Sequence, residues 1–331
     1  MTSKIVNRLT LGASLAVFLA AVYVLHRSLA QVGLADVLAR LEALPPLRVA
    51  AAVALTAASY LVLVGYDYLA LHYVKRSLRF PWVAFTSFIA FAFSHNVGLA
   101  LVSGGSVRYR VYSGLGLGLV EIAEVVVFCA VTYSLGIMTV GGVMLTADPM
   151  GVAPVLGIPQ HMVRSSGAAL LAVGVAYLVA TAVWRRPLRL GGFAFRLPSL
   201  GSGLIQVALA SVDLALAGAV VYVLLPPDGD VTYRTFLGIY VLAAAASVLS
   251  HVPGGLGVFE AVIVVMLPDV PRDASLGALV AYRVTYFVLP LGLAMASMVG
   301  YEVRRGQRAL GWLTPGSRAN PTKRDEGVES Q

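Results

Sequence analysis

The chain has 331 residues, 59% of them hydrophobic and 12% charged, with a mean hydropathy of +0.84 and a formal net charge of +8. The charged fraction is about half that of an ordinary soluble domain, which excludes a soluble enzyme and predicts an all-α integral membrane protein. Cys129 is the one cysteine, so an intrachain disulfide and metal or haem ligation by a cysteine cluster are excluded as well.

In chain order, Lys4 and Arg8 precede an apolar run at 9–25, read as an uncleaved first span. Residues 31–44 place Leu34, Leu38, Leu41 and Leu44 at helical spacing, predicting a short interfacial helix that Pro45-Pro46 ends. Further spans are predicted at 49–71, 118–145, 166–183, 203–225 and 276–301. Two more apolar runs, 82–102 and 236–267, are interrupted by Ser94-His95-Asn96-Val97-Gly98 and by Ser250-His251-Val252-Pro253-Gly254-Gly255. Proline removes a backbone donor and glycine permits sharp bends, so each run reads as a membrane helix broken at depth. Unpaired backbone survives there only where protein buries it or where it lines a cavity.

The two breaks coincide at one constant offset along the chain. Ser94-His95 falls on Ser250-His251, Gly98 on Gly254, and Leu135-Gly136 on Leu291-Gly292, while the spans superpose as well. Two similar halves are therefore expected, 9–145 and 165–301, within a membrane domain 1–302 followed by a basic, disordered tail 303–331. Taking each broken run as a re-entrant hairpin gives six crossings, an inverted second half and both termini on the cytoplasmic side. The segments 1–8, 72–80, 103–116, 184–200 and 302–331 then carry most of the 24 Lys and Arg residues on that side. Making the broken runs full crossings moves the basic stretch at 185–196 outside, which the positive-inside tendency disfavours.

No hydrolase elbow, phosphate-binding loop, metal-spaced histidine pair or dinucleotide fingerprint occurs, and neither a cofactor nor a nucleic-acid partner is expected. What stands out is polarity where it is expensive: Asp213 mid-span, Glu260 beyond the second break and Arg283 early in the last span. Two readings fit these residues. They pair with one another to hold helices together, or they face a headgroup cavity. His95 and His251 fit either a pH-responsive role or helix capping, and Glu121 and Glu124 read as interfacial residues near Arg108 and Arg110. Arg108 and Arg110, behind Gly104 and Gly105, fit a phosphate grip, because guanidinium binds phosphate oxygens bidentately. They fit equally a pair of topology-setting charges.

Three stretches, SHNVGLALVSGGSVRYRVYSGLGL at 94–117, SHVPGGLGVFE at 250–260 and AYRVTYFVLPLGLA at 281–294, resemble the membrane-embedded flippase region of the bacterial lysylphosphatidylglycerol synthases, the multiple peptide resistance factors. The resemblance covers residues 5–302. It implies translocation of a phospholipid, anionic or aminoacylated, between the leaflets of the bacterial cytoplasmic membrane. It also implies substrate contacts at Gly104, Gly105, Arg108 and Arg110, at Pro253, Gly254, Gly255, Gly257 and Glu260, and at Tyr282, Arg283 and Pro290. The chain stops at Gln331, so the synthase activity and tRNA binding of that family are not expected here. The competing expectations are a non-transporting subunit that docks a separate synthase, a homo-oligomer being compatible with either, and a membrane enzyme, which lacks a nucleophile beside a base.

Overall fold

A computed structural model describes residues 44–97, 100–184, 188–190, 193–226, 231–250 and 252–311. The expected span at 9–25, the interfacial helix up to residue 43, His251, Gly98 and the tail from 312 lie outside the described residues. The long helices are α1 (Pro46–Tyr73), α2 (Phe80–Val97), α3 (Ala100–Tyr112), α4 (Leu119–Ala147), α5 (Gln160–Val183) and α6 (Leu200–Leu224). They continue with α7 (Tyr233–Ser250), α8 (Val258–Met266), α9 (Arg272–Tyr282), a π-helical turn (Arg283–Val288) and α10 (Leu289–Gly311). The protein is an all-α integral membrane protein, its one described strand pairing being the three-residue antiparallel couple Leu188–Leu190 with Phe193–Phe195.

Among the described residues, six helices are long and apolar enough to cross a membrane. Five of them, α1, α4, α5, α6 and the continuous α9–α10 rod, match expected spans. The sixth, α7, was expected as one arm of a re-entrant hairpin. Its 18 residues reach about 27 Å, close to a hydrocarbon thickness, yet its neighbours show the chain turning back. Thr235, near the start of α7, donates to Asp148 at the end of α4 (2.6 Å), and Val270, beyond α8, shares a cavity with Leu47, Leu225 and Val231. Entry and exit lie at one face of the protein.

The other hairpin, α2–α3, enters and leaves at the opposite face. There Trp82 meets Tyr301 edge-on, Arg110 bonds Glu302, and Arg76, just before α2, bonds Glu121 just after α3. The two hairpins thus penetrate from opposite sides, and their tips touch. A side chain at Gly254 would lie 3.2 Å from the Asn96 carbonyl, and Asn96 Nδ2 donates to the Phe287 carbonyl at 3.1 Å.

Helices α1 and α6, which the sequence offset makes equivalent, run antiparallel along each other. Arg48 Nη1 donates to the Leu225 carbonyl (3.1 Å), Ser59 to Asp213 (2.6 Å) and Tyr73 to the Arg196 carbonyl (2.6 Å), so one helix begins where the other ends. The hairpins are exchanged about this pair: α7 packs on α4, and α2 on the π turn and α10. An antiparallel pair of equivalent helices is the relation an inverted repeat requires.

Packing follows the same division. One buried cluster gathers Leu214, Val220, Phe236, Ile263 and Leu279 around α7–α8, and the other Leu63, Tyr66, Ile89, Phe93 and Ile122 around α2–α3. Tyr133 of α4 packs against both. On the periphery, α5 leans on α4 through Gly142 and Gly167, whose backbones approach so closely that a Cβ on Gly167 would sit 2.8 Å from the Gly142 carbonyl. Small residues of this kind let membrane helices pack where no hydrophobic force drives them together. The last helix continues through Gly311, past the boundary expected at 302, since the segment from Arg304 to Leu310 holds one glycine and no proline.

Candidate functional site

The hairpin tips meet the π turn at mid-depth, beside the centre of α1. Three groups of the second hairpin are tied together there. Gly254, Gly255 and Gly257 all take positive φ (62°, 61° and 83°), which lets the chain fold from α7 into α8 within a few residues. Glu260, in the first turn of α8, reaches back to accept from the Gly257 amide (2.8 Å), capping the new helix. Its other oxygen accepts from Arg283 Nε at 2.6 Å, and Arg283 Nη1 donates to the Gly254 carbonyl at 2.6 Å. The guanidinium also lies 4.6 Å from the centre of the Phe287 ring. Of the two sequence readings, Glu260 and Arg283 are paired. Their side chains keep 21% and 17% of their exposure, so the pair borders accessible space and is not sealed in the core.

Against this clamp lies a cluster of aromatic and hydroxyl groups. His95, at the tip of α2, stacks on Tyr286 with centroids 5.7 Å apart, and its Nδ1 meets no hydrogen-bond partner among the described residues. Tyr282 stacks on Phe259 and on Tyr286, and its hydroxyl shares a 3.2 Å hydrogen bond with Tyr240. Tyr60 donates to the Tyr286 carbonyl (3.3 Å). Ser59 Oγ lies 2.9 Å from Tyr286 Oη and donates to Asp213, whose second oxygen accepts from Tyr66 at a longer 3.4 Å. Asp213 is thereby joined to the π turn through one serine.

The arginines of the first motif are placed elsewhere. Arg108 is 2% exposed, with Nε and Nη2 donating to Asp67 (3.1 and 2.6 Å) and its guanidinium stacked over Phe91. Tyr112 (2.8 Å) and Cys129 (3.3 Å) also donate to Asp67. The guanidinium expected to grip phosphate is committed to a buried carboxylate. Arg110 makes a bidentate pair with Glu302 (2.7 and 2.6 Å) at the protein's face. Gly104 sits where α3 crosses α2, a Cβ there colliding with Ser94 Oγ and approaching the Ala90 carbonyl to 3.1 Å, while Gly105 faces Val126. Glu121 pairs with Arg76, not with Arg108 or Arg110, because α3 turns those two inward and toward α10. Arg76 lies in the turn before α2, and that hydrogen bond holds its guanidinium above the ordinary value.

The structure therefore brings Gly254, Glu260, Tyr282, Arg283 and, through Ser59, Asp213 to one place, and sets Gly104, Gly105, Arg108 and Arg110 apart from them. Asp67 is the residue sequence reasoning passed over, although an aspartate within the apolar run at 49–71 carries the same signal that singled out Asp213.

No family model matches the chain. It is 36% identical over 299 residues to the uncharacterized protein slr0712 of Synechocystis, an alignment spanning 90% of this chain and 92% of that protein. It is also 33% identical over 254 residues to the inner membrane protein YbhN of Escherichia coli, spanning 74% of this chain and 77% of YbhN. The chain belongs to the YbhN family of multi-pass inner membrane proteins. A shorter similarity, 32% over 96 residues, links this family member to the phosphatidylglycerol lysyltransferase of Staphylococcus epidermidis, covering 28% of this chain and 11% of the enzyme.

Proposed function

We propose that the protein moves a polar-headed phospholipid between the two leaflets. The observation that carries this reading is the Glu260–Arg283 pair, a carboxylate and a guanidinium held against each other where two hairpins entering from opposite faces meet at mid-depth. Broken membrane helices that converge from both sides are the usual frame for a substrate site reached alternately from either side. A phospholipid headgroup with an amine presents the same two charges in reverse: its phosphate replaces Glu260 on Arg283, and its ammonium replaces Arg283 on Glu260. The internal pair then closes the path when no lipid is present and is exchanged, charge for charge, when one enters. Acyl chains remain in the bilayer along the apolar outer surfaces of the helices. The partial similarity to phosphatidylglycerol lysyltransferase supports phosphatidylglycerol or its aminoacyl ester as the first lipid to try.

The test uses the full chain in vesicles containing aminoacyl-phosphatidylglycerol labelled on an acyl chain, with an impermeant reductant reporting which leaflet holds the label. Wild type should expose inner-leaflet label well above the rate in protein-free vesicles. Arg283→Lys keeps charge but loses the planar fork, and Glu260→Gln keeps shape but loses charge, so each should slow transfer at least tenfold. The double variant Glu260→Gln with Arg283→Gln should recover stability without recovering transfer. A wild-type rate equal to that of empty vesicles, or recovery of both properties in the double variant, would overturn the reading.

A further inference from the structure

Asp213 lies at the centre of α6, 3% exposed, where α6 crosses the middle of α1. Its carboxylate receives a short hydrogen bond from Ser59 and a long one from Tyr66. The groups facing it are Ser59, Tyr60 and Tyr66 from α1, Tyr133 from α4, and Tyr282 and Tyr286 from α9 and the π turn. Tyr240 of α7 stands behind Tyr282. On the α5 side, Tyr177 is committed to Gln206. No lysine, arginine or histidine among the described residues bonds to Asp213. Among the described residues, the guanidinium of Arg108 is held by Asp67 and that of Arg283 by Glu260. His95 is separated from the carboxylate by Tyr286 and Ser59.

A buried carboxylate in this setting behaves unlike Asp67. Asp67 has a guanidinium in contact. Among the described residues Asp213 has only hydroxyls in hydrogen-bonding contact, and a charge buried with no opposite charge beside it is costly. Two hydroxyls and one carboxylate are too few oxygens for a hard metal cation, which gathers about six or more. We propose that Asp213 is the proton-binding site that couples lipid movement to a transmembrane proton gradient, acting through Ser59 and Tyr286 on the π turn between the hairpins. This rests on the reading of the protein as a lipid translocator.

The hydrogen-bond arithmetic gives the coupling its direction. Ser59 has a single hydroxyl proton. When Asp213 is ionised, Ser59 must donate to it, and Tyr286 donates to Ser59. When Asp213 takes one proton from the aqueous phase on the oxygen that faces Ser59, it donates to Ser59, Ser59 donates to Tyr286, and the Tyr286 proton must turn to another acceptor. One proton has been added and none lost, yet every donor in the chain has reversed. Tyr286 stacks on His95 of the first hairpin and shares its turn with Arg283, which holds the second. Reversal at Tyr286 therefore reaches both tips.

The experiment imposes a pH gradient, with the electrical potential clamped, on vesicles containing the full chain and labelled phosphatidylglycerol. With one proton per lipid, one pH unit supports about a tenfold leaflet ratio of label, and a protonophore should collapse it. In Asp213→Asn the distribution should no longer respond to the gradient, whatever the absolute rate, while Asp213→Glu should retain a response. Infrared spectra of the purified protein supply a readout independent of transport. A carboxylic-acid carbonyl band that disappears as the pH is raised should persist after the exposed carboxyls have ionised, and it should be missing from Asp213→Asn. Wild-type transfer that ignores the gradient, or the lack of such a band, overturns the coupling and leaves the translocator intact. Wild-type protein that transfers no lipid overturns both.

Discussion

Asp67 and Asp213 are connected through Tyr66, which precedes the one and donates to the other. Their environments differ in one respect that decides their roles. Asp67 is fully buried but bonded by Arg108, Tyr112 and Cys129, drawing α1, α3 and α4 together at one point. Breaking one partner of such a pair leaves a bare charge, so Asp67→Asn should lower stability by about 3–5 kcal/mol. Replacing both charges, as Asp67→Leu with Arg108→Met, should restore much of that loss, because the cost of desolvating the pair disappears with it. Denaturant titration in detergent measures both. A loss below about 1 kcal/mol for Asp67→Asn would mean the pair is hydrated and not structural. The sequence showed Arg108 as a charge behind a glycine pair, and phosphate was the partner its chemistry suggested. The partner is Asp67, 41 positions away, and only the return of α3 alongside α2 brings α1 within reach. Exposure and pairing are tertiary facts that residue type and spacing do not carry.

The hairpins are elements whose existence was legible and whose contents were not. Serine, histidine and glycine in the middle of apolar runs marked both breaks, proline the second alone, and the charge distribution favoured re-entry over crossing. Helix length alone does not, since α7 is long enough to span; the return of α8 to the same face decides it. The breaks themselves make a testable demand on the backbone. At Gly254, φ is 62° and an added Cβ would press on the Asn96 carbonyl, so Gly254→Ala should cost about 1–2 kcal/mol and separate the tips. Gly292, in α10, has open space around it and ordinary helical geometry. Gly292→Ala should be neutral or raise stability by up to about 1 kcal/mol. Thermal unfolding of the two variants side by side reads the difference. Equal midpoints would show that the second hairpin does not need its left-handed turn. The π turn, in contrast, had no signature in the residues 283–288, because a wide helical turn is imposed by Asn96 bonding the Phe287 carbonyl and by the Arg283 clamp.

At the scale of the whole molecule, two halves related by an axis in the membrane plane place equivalent hairpins at opposite faces, and the sequence carried this through a constant offset and the bias of basic loops. That bias also predicts an orientation. Gly114, at the end of α3, belongs to the face that should be cytoplasmic, and Ile158, before α5, to the face that should be external. Cysteines placed at these two positions in a Cys129→Ser background should react with an impermeant maleimide from opposite sides. Labelling of both from one side would dismantle the inverted arrangement. The most direct measurement joins the two tips. In the same background, Val97→Cys with Val252→Cys, one at each tip, bridged by a short bismaleimide, tethers the hairpins while the unbridged double variant serves as reference. Bridging should stop transfer of labelled phosphatidylglycerol in reconstituted vesicles, because the path between the faces opens only when the tips part. Transfer at the reference rate with the tips locked together would contradict this.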